Sequence, residues 1–249
     1  MKRTFYIVFF LFSFAGIAQN NAIFEQGKQQ YKSEKFQEAI NNWMKIVRDD
    51  EHSSALYYNI ANAHYKLNSI GPSIYYYEKA LQLAPNDKEI LNNLAFAQNA
   101  TVDAIEPLPK TIFAKWDTIL SSWLTFNGWA WVTVISAVLF ALFLLLYYFS
   151  VYSVKKRLSF VGAVFMFLLI MVGLTMSYRN YNKQVKDQPA IIFTESSNIK
   201  ADPSSKSETS FILHEGTKVQ IIAEDEDWYR ILLVDGKDGW IHQTDLKAL

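Results

Sequence analysis

"LFALFLLLYYFSVYSVKKRLSFVGAVFMFLLIMVGL", residues 139–174, sets two apolar runs on either side of one basic patch, Lys155-Lys156-Arg157. From Trp129 to Val151 there is no charged residue, and a second such run extends from Leu158 to Tyr178. About 20 residues rising ~1.5 Å each cross a hydrocarbon core of about 30 Å. The runs therefore predict transmembrane helices over 129–153 and 158–178. The competing reading, a buried hairpin in a soluble core, fits poorly with runs this long and this free of charge. The link "SVKKR" has room only for a turn, so the two spans are expected to be antiparallel neighbours.

Basic loops are retained in the cytoplasm. Lys155, Lys156 and Arg157 adjoin both spans, so they set the expected topology: patch inside, both flanking segments outside. Arg179, Lys183 and Lys186 follow the second span and reduce the charge asymmetry. A second argument comes from residues 1–19, "MKRTFYIVFFLFSFAGIAQ", which read as a signal peptide. Lys2 and Arg3 precede an apolar stretch, and small residues at Gly16 and Ala18 lie before a cut near Gln19. An uncleaved anchor is the alternative, but the apolar stretch is short for a span.

Composition agrees with this division. Hydrophobic residues make up 51% of the 249, concentrated in the runs just described rather than spread through a large core. Formal net charge is zero, which removes any global argument for nucleic acid. There is no cysteine, so disulfides, thiolate zinc sites and thiol catalysis are excluded.

Between the signal and the spans the chain repeats at a spacing of 34 residues. Gly27 matches Ala61, Tyr31 matches Tyr65, Ile40 matches Ile74, Trp43 matches Tyr77 and Val47 matches Leu81. Apolar positions inside each copy keep helical spacing, with Ala39, Ile40, Trp43, Ile46 and Val47 on one face. Small residues allow close helix approach, aromatics fill the gap, and Pro85 ends the second copy. This pattern resembles the tetratricopeptide repeat, most closely over "SALYYNIANAHYKLNSIGPSIYYYEKALQLAP". The expected all-α solenoid covers 20–100, with repeats at 20–51 and 54–85 and a capping helix at 87–100 in which Leu91, Leu94 and Ala95 share the inward phase. Gly71-Pro72 departs from the usual turn residues. The resemblance implies a concave peptide groove lined by Phe24, Lys28, Tyr31, Tyr58, Asn62, Tyr65, Asn92 and Phe96. Packing against another repeat or a neighbouring protein is the other use of those aromatics.

Residues 101–128 link the repeats to the first span. "EPLPK" is a stiff break. "TIFAKWDTILSSWLTF" carries Ile112, Phe113, Trp116, Ile119, Leu120, Trp123 and Leu124 on one side at helical spacing. It reads either as an interfacial helix or as a last helix of the solenoid.

After Tyr181 the sequence changes to short runs of β-branched and aromatic residues split by turn signals, including the Asp-Gly of "VDGKDG". Five short strands in about 60 residues suggest a small all-β barrel. "LHEGTKVQII" and "DWYRILLVDGKDGWIHQTDL" resemble the bacterial SH3 domain over 188–249, with "NIKADPSSKSE" as its first long loop. Trp228, Tyr229 and Trp240 are the candidate surface residues. Half-buried packing is the ordinary use of Trp228 and Tyr229.

No catalytic constellation is visible. His52, His64, His214 and His242 stand in separate contexts with no metal-ligand spacing and no Ser/Asp partner pattern. The expectation is a non-enzyme with no metal and no cofactor.

The order signal, repeats, two close spans and SH3 domain resembles the BatE family of the Bacteroides-type aerotolerance operon. That resemblance implies an inner-membrane accessory protein working with membrane-anchored von Willebrand factor A domain proteins and other repeat proteins of the same operon. The fold class expected is thus a multidomain membrane protein: an all-α tetratricopeptide solenoid, a two-helix transmembrane hairpin and a small SH3-like barrel. A cell-wall sensor that binds peptidoglycan, or regulates its hydrolases, through the SH3-like part is the second reading.

Overall fold

The structure is a computed structural model and describes residues 20–109 and 111–249; the signal-peptide reading of 1–19 lies outside these. The described chain forms two compact units. One joins the N-terminal helices to the C-terminal sheet, and the other is Leu108–Asp187.

The first unit begins with helix α1 (20–32), followed by α2 (Phe36–Arg48), α3 (Ser54–Lys66), α4 (Ile70–Leu83) and α5 (Lys88–Asn99). The 34-residue period is visible in the backbone. Glu34 and Asn68, one period apart, both adopt the left-handed conformation at φ 60° and 58°. The turns close alike: Lys35 N–H donates to the Gln30 carbonyl at 2.9 Å and Ser69 N–H to that of His64 at 3.0 Å. These are helix C-terminal caps, which satisfy carbonyls the helix leaves open. Ser53 and Asp87 cap the starts of α3 and α5 by accepting backbone N–H bonds. The core between the helices holds Trp43, Leu56, Ile60, Ile74 and Tyr77, all nearly inaccessible to solvent. Helix α5 is turned by one residue from the expected phase. Ile90, Leu94 and Ala97 face inward, while Leu91 and Ala95 are exposed.

The C-terminal part is one seven-stranded antiparallel sheet, ordered β3-β2-β6-β5-β4-β1-β7, with β3 and β7 at its edges. Its strands are β1 (Pro189–Ile192), β2 (Ser196–Lys200), β3 (Thr209–His214), β4 (Lys218–Asp225), β5 (Trp228–Leu232), β6 (Asp238–His242) and β7 (Leu246–Ala248). Seven strands replace the five expected. The run 211–225 breaks at Glu215-Gly216, where Gly216 has φ +87°, and a short strand begins at Leu246. The expected first loop, 198–208, starts inside β2 because Ile199 is fully buried in the sheet core with Ile192, Ile231 and Ile241.

The second unit holds α6 (Ile112–Ser122), α7 (Phe126–Phe149) and α8 (Ser153–Lys186). Helices α7 and α8 are long and apolar enough to cross a membrane. Gly162 and Gly173 let α8 approach Phe143 and Thr133 of α7 closely. The turn between them is Ser150–Tyr152, so "SVKKR" is not the loop but the first turn and more of α8. Lysine and arginine are good helix formers and nothing in that stretch breaks a helix. Helix α6 belongs with α7 and α8, not with the solenoid.

Candidate functional site

Five of the eight expected groove residues converge. Tyr31, Tyr58, Asn62, Tyr65 and Phe96 line a cavity of about 300 Å³ together with Lys66, Tyr77 and Asn93. Its floor is a hydrogen-bonded chain. Tyr77 Oη donates to Asn62 Oδ1 at 2.5 Å, and Asn93 Nδ2 donates to the same oxygen at 3.1 Å. Asn93 Nδ2 also reaches Tyr58 Oη at 2.7 Å, and Tyr58 Oη donates to Glu89 at 2.6 Å. Burial, with the Glu89 carboxylate behind it, pushes the Tyr58 phenol up to about 12. It remains a neutral donor at any physiological pH. Tyr65 and Phe96, both exposed, form the rim of the cavity.

Three other residues assigned to the groove lie elsewhere. Phe24 packs on Trp43, ring centroids 6.4 Å apart, and its carbonyl accepts the Trp43 indole N–H. Lys28 pairs with Glu25 at 2.9 Å and lies over the Phe24 ring, outside the cavity lining. Asn92 is exposed; the turned phase of α5 puts Asn93 in its place. Asn93 was within reach of sequence reasoning, since Ile90, Leu94 and Ala97 make as good an apolar stripe as Leu91, Leu94 and Ala95.

On the sheet, Trp228 and Trp240 share a face but Tyr229 does not. Trp228 pairs with His242 and Arg230 with Trp240 across β5 and β6, so these four project together. Trp228 meets the His242 ring edge-on at 5.5 Å, and Arg230 pairs with Asp238 at 2.6 Å. Tyr229 lies on the opposite side and packs against the sheet core. Lys155, Lys156 and Arg157 are all exposed at the N-terminal end of α8.

A contact that sequence reasoning missed joins the repeats to the sheet. Glu215, in the β3–β4 turn, accepts the Gly71 N–H at 2.9 Å. Ser69 makes no side-chain cap on α4, so a residue 144 positions away caps it instead. A Cβ on Gly71 would stand 2.7 Å from the Ile192 carbonyl oxygen. The unusual Gly71-Pro72 is thereby explained: glycine admits the sheet backbone, and proline needs no N–H partner. Beside it, Tyr75 meets Phe193 edge-on at 5.5 Å, Lys247 stands over Tyr75 at 4.8 Å, and Lys218 pairs with Glu78 at 2.7 Å. Ile191 is buried in the core of the repeats themselves.

Asp103 completes this junction. Its carboxylate accepts from Thr217 Oγ1 at 2.6 Å, from the His214 backbone N–H at 2.7 Å and from His214 Nδ1 at 2.7 Å. Burial alone would raise its pKa. The bonds from Thr217 and His214 outweigh that and hold it below the usual carboxylate range. No sequence signal marks a bond between residues 111 positions apart.

Residues 54–87 match the tetratricopeptide repeat and residues 195–247 match the bacterial SH3 domain. No curated protein matches the chain. A solved NlpC/P60 family protein from Bacillus cereus ATCC 10987 aligns at 18% identity and a TM-score of 0.22, covering 28% of this chain and 23% of that one. A likeness so slight carries no argument. The two matched modules are of kinds used in protein interaction and cell-wall binding, and here they form one body.

Proposed function

We propose that this chain is a non-enzymatic scaffold anchored in a bacterial inner membrane by α7 and α8, with the repeat–sheet unit on the outer face. The observation that carries the reading is the fused repeat–sheet body whose concave cavity remains open. A rigid interaction platform follows more naturally from that body than two loosely tethered modules.

The topology is supported by helix electrostatics. Lys155, Lys156 and Arg157 sit at the N-terminal end of α8, where the helix dipole is positive and each cation costs ~0.3–1 kcal/mol. Stability of the helix does not account for them there, whereas retention on the cytoplasmic side does. The module order supports membership of the BatE family. On that reading the cavity holds a membrane-anchored von Willebrand factor A domain protein, or another repeat protein of the aerotolerance operon.

The test is crosslinking in intact cells followed by purification of the tagged full-length chain. Phe96→Glu, at an exposed rim position, should abolish recovery of the partner. Lys28→Glu, outside the cavity, should leave it unchanged. Equal recovery from both variants would remove the cavity from the mechanism. A second reading, peptidoglycan binding, draws on the half-exposed face of Trp228, Arg230, Trp240 and His242. Loss of sacculus binding in Trp240→Ala, with the crosslinked partner retained, would favour it.

A further inference from the structure

Helix α6 carries an apolar face that its own unit leaves open. Ile112, Trp116 and Ile119 of the helix, and Trp123 just beyond its last residue Ser122, are between 57% and 73% exposed. At about 100° per residue the first three fall within an arc of about 60°, and Trp123 lines one hollow with Trp116 and Ile119. Such a stripe on a short helix normally seeks cover.

The position of the corner indicates what covers it. Asn180 Nδ2 donates to the Ser121 carbonyl at 3.2 Å and to the Leu124 carbonyl at 3.1 Å. Those two bonds tie the C-terminal end of α6 to α8. Asn180 lies two residues beyond Tyr178, where the apolar run of α8 ends, or about 3 Å along the helix. The end of α6 is thus pinned at the level where a hydrocarbon core would stop. Trp131 and Tyr178, exposed near the same level of α7 and α8, are residue types that concentrate at that boundary.

We propose that the Ile112–Trp116–Ile119–Trp123 face lies in the headgroup–acyl boundary of the bilayer crossed by α7 and α8. This rests on reading those helices as spans. Helix α6 is then a third membrane contact, lying along the surface rather than through it. Its two indoles supply apolar rings for the acyl edge and N–H donors for the headgroups.

The natural absence of cysteine makes the test clean. Single cysteines introduced one at a time from Thr111 to Trp123 in the full chain carry a nitroxide label, in vesicles of phosphatidylethanolamine and phosphatidylglycerol. Collision rates with oxygen and with a water-soluble nickel chelate report lipid and water in turn. The oxygen-to-nickel ratio should rise severalfold at 112, 116, 119 and 123 and fall between them. A ratio favouring nickel throughout would mean a solvated helix, and low collision with both reagents at the four positions would mean a protein cover; either overturns the proposal. Leu142→Cys, well inside the apolar run of α7, separates the two levels. Lipid exposure there with a flat profile on α6 sinks only the α6 proposal, while water exposure at Leu142 sinks the membrane reading and this one with it.

Discussion

Gly27 lies so close to Trp43 that an added Cβ would stand 2.3 Å from the indole nitrogen. The second repeat solves the same packing problem with Ala61 and Tyr77, one period on. The larger ring takes the smaller partner. Gly27→Ala gains up to about 1 kcal/mol of helix propensity but forces a fully buried indole to move, at about 1–3 kcal/mol. The clash should win, and thermal melting should show a lowered midpoint. Adding Trp43→Tyr, which copies the second repeat, should recover most of the loss; no recovery would mean the pair is not the cause. His64 supplies a pH effect at the same scale. Burial lowers its pKa to about 4, its ring stacks on Tyr76, and its Nδ1 has no partner among the described residues. The unfolded chain titrates near 6.5, so the folded state is fully stable above that and loses stability as pH falls from about 6.5 toward 4. The loss is on the order of 3 kcal/mol at most. Urea midpoints across that range should slope for the natural chain and flatten for His64→Phe. Asp103 acts in a lower window. Its pKa is depressed, so its contribution is present above the ordinary carboxylate range and disappears on further acidification.

At the scale of elements, α4 is the helix whose start depends on another module. Glu215 caps it at Gly71 and places a carboxylate at its positive end. Glu215→Ala should cost ~0.5–2 kcal/mol and speed hydrogen exchange across the first turn of α4. Unchanged exchange there would show that Ser69 or water replaces the cap. The same helix marks how far the sequence could be read. Helices, repeat period, apolar spans and the Asp-Gly turn at Gly236 all follow from local pattern, because each is dictated by neighbours within a few residues. The phase of α5 does not, since two overlapping apolar stripes compete and only packing against α4 chooses between them. Five of the eight expected groove positions line the cavity; all three placed on α3 are among them, because α3 faces the groove along one clear stripe, whereas on α1 only Tyr31 is, since Phe24 turns to pack on Trp43. The start of α8 within "SVKKR" was obscured because a basic patch between apolar runs looks like a loop. Gly71-Pro72 stood out as irregular, but its reason lies at Ile192 and Glu215, far along the chain.

At the scale of the whole molecule, the repeats and the sheet are bound by a set of contacts that interrupt each module's own core. Ile191, paired within β1, sends its side chain into the helical core, and Ile105, from the segment after α5, packs against the sheet core. Asp103 ties that same segment to the end of β3 and to the β3–β4 turn through three hydrogen bonds. Separating the modules would expose Ile191 to water and leave Asp103 to find other partners, so neither part has an independent reference state of low cost. The expected consequence is joint unfolding. In native-state hydrogen exchange on the full chain, the slowest amides of α4 and of β1 should report one common opening free energy. Asp103→Asn keeps the volume but removes the charge, and should lower both values together by ~1–3 kcal/mol. If the variant lowered only the sheet amides, or if α4 and β1 opened at separate energies in the natural chain, the junction would be a loose contact. The scaffold would then be two modules on a linker, and the open cavity would no longer have a fixed relation to the face carrying Trp228 and Trp240.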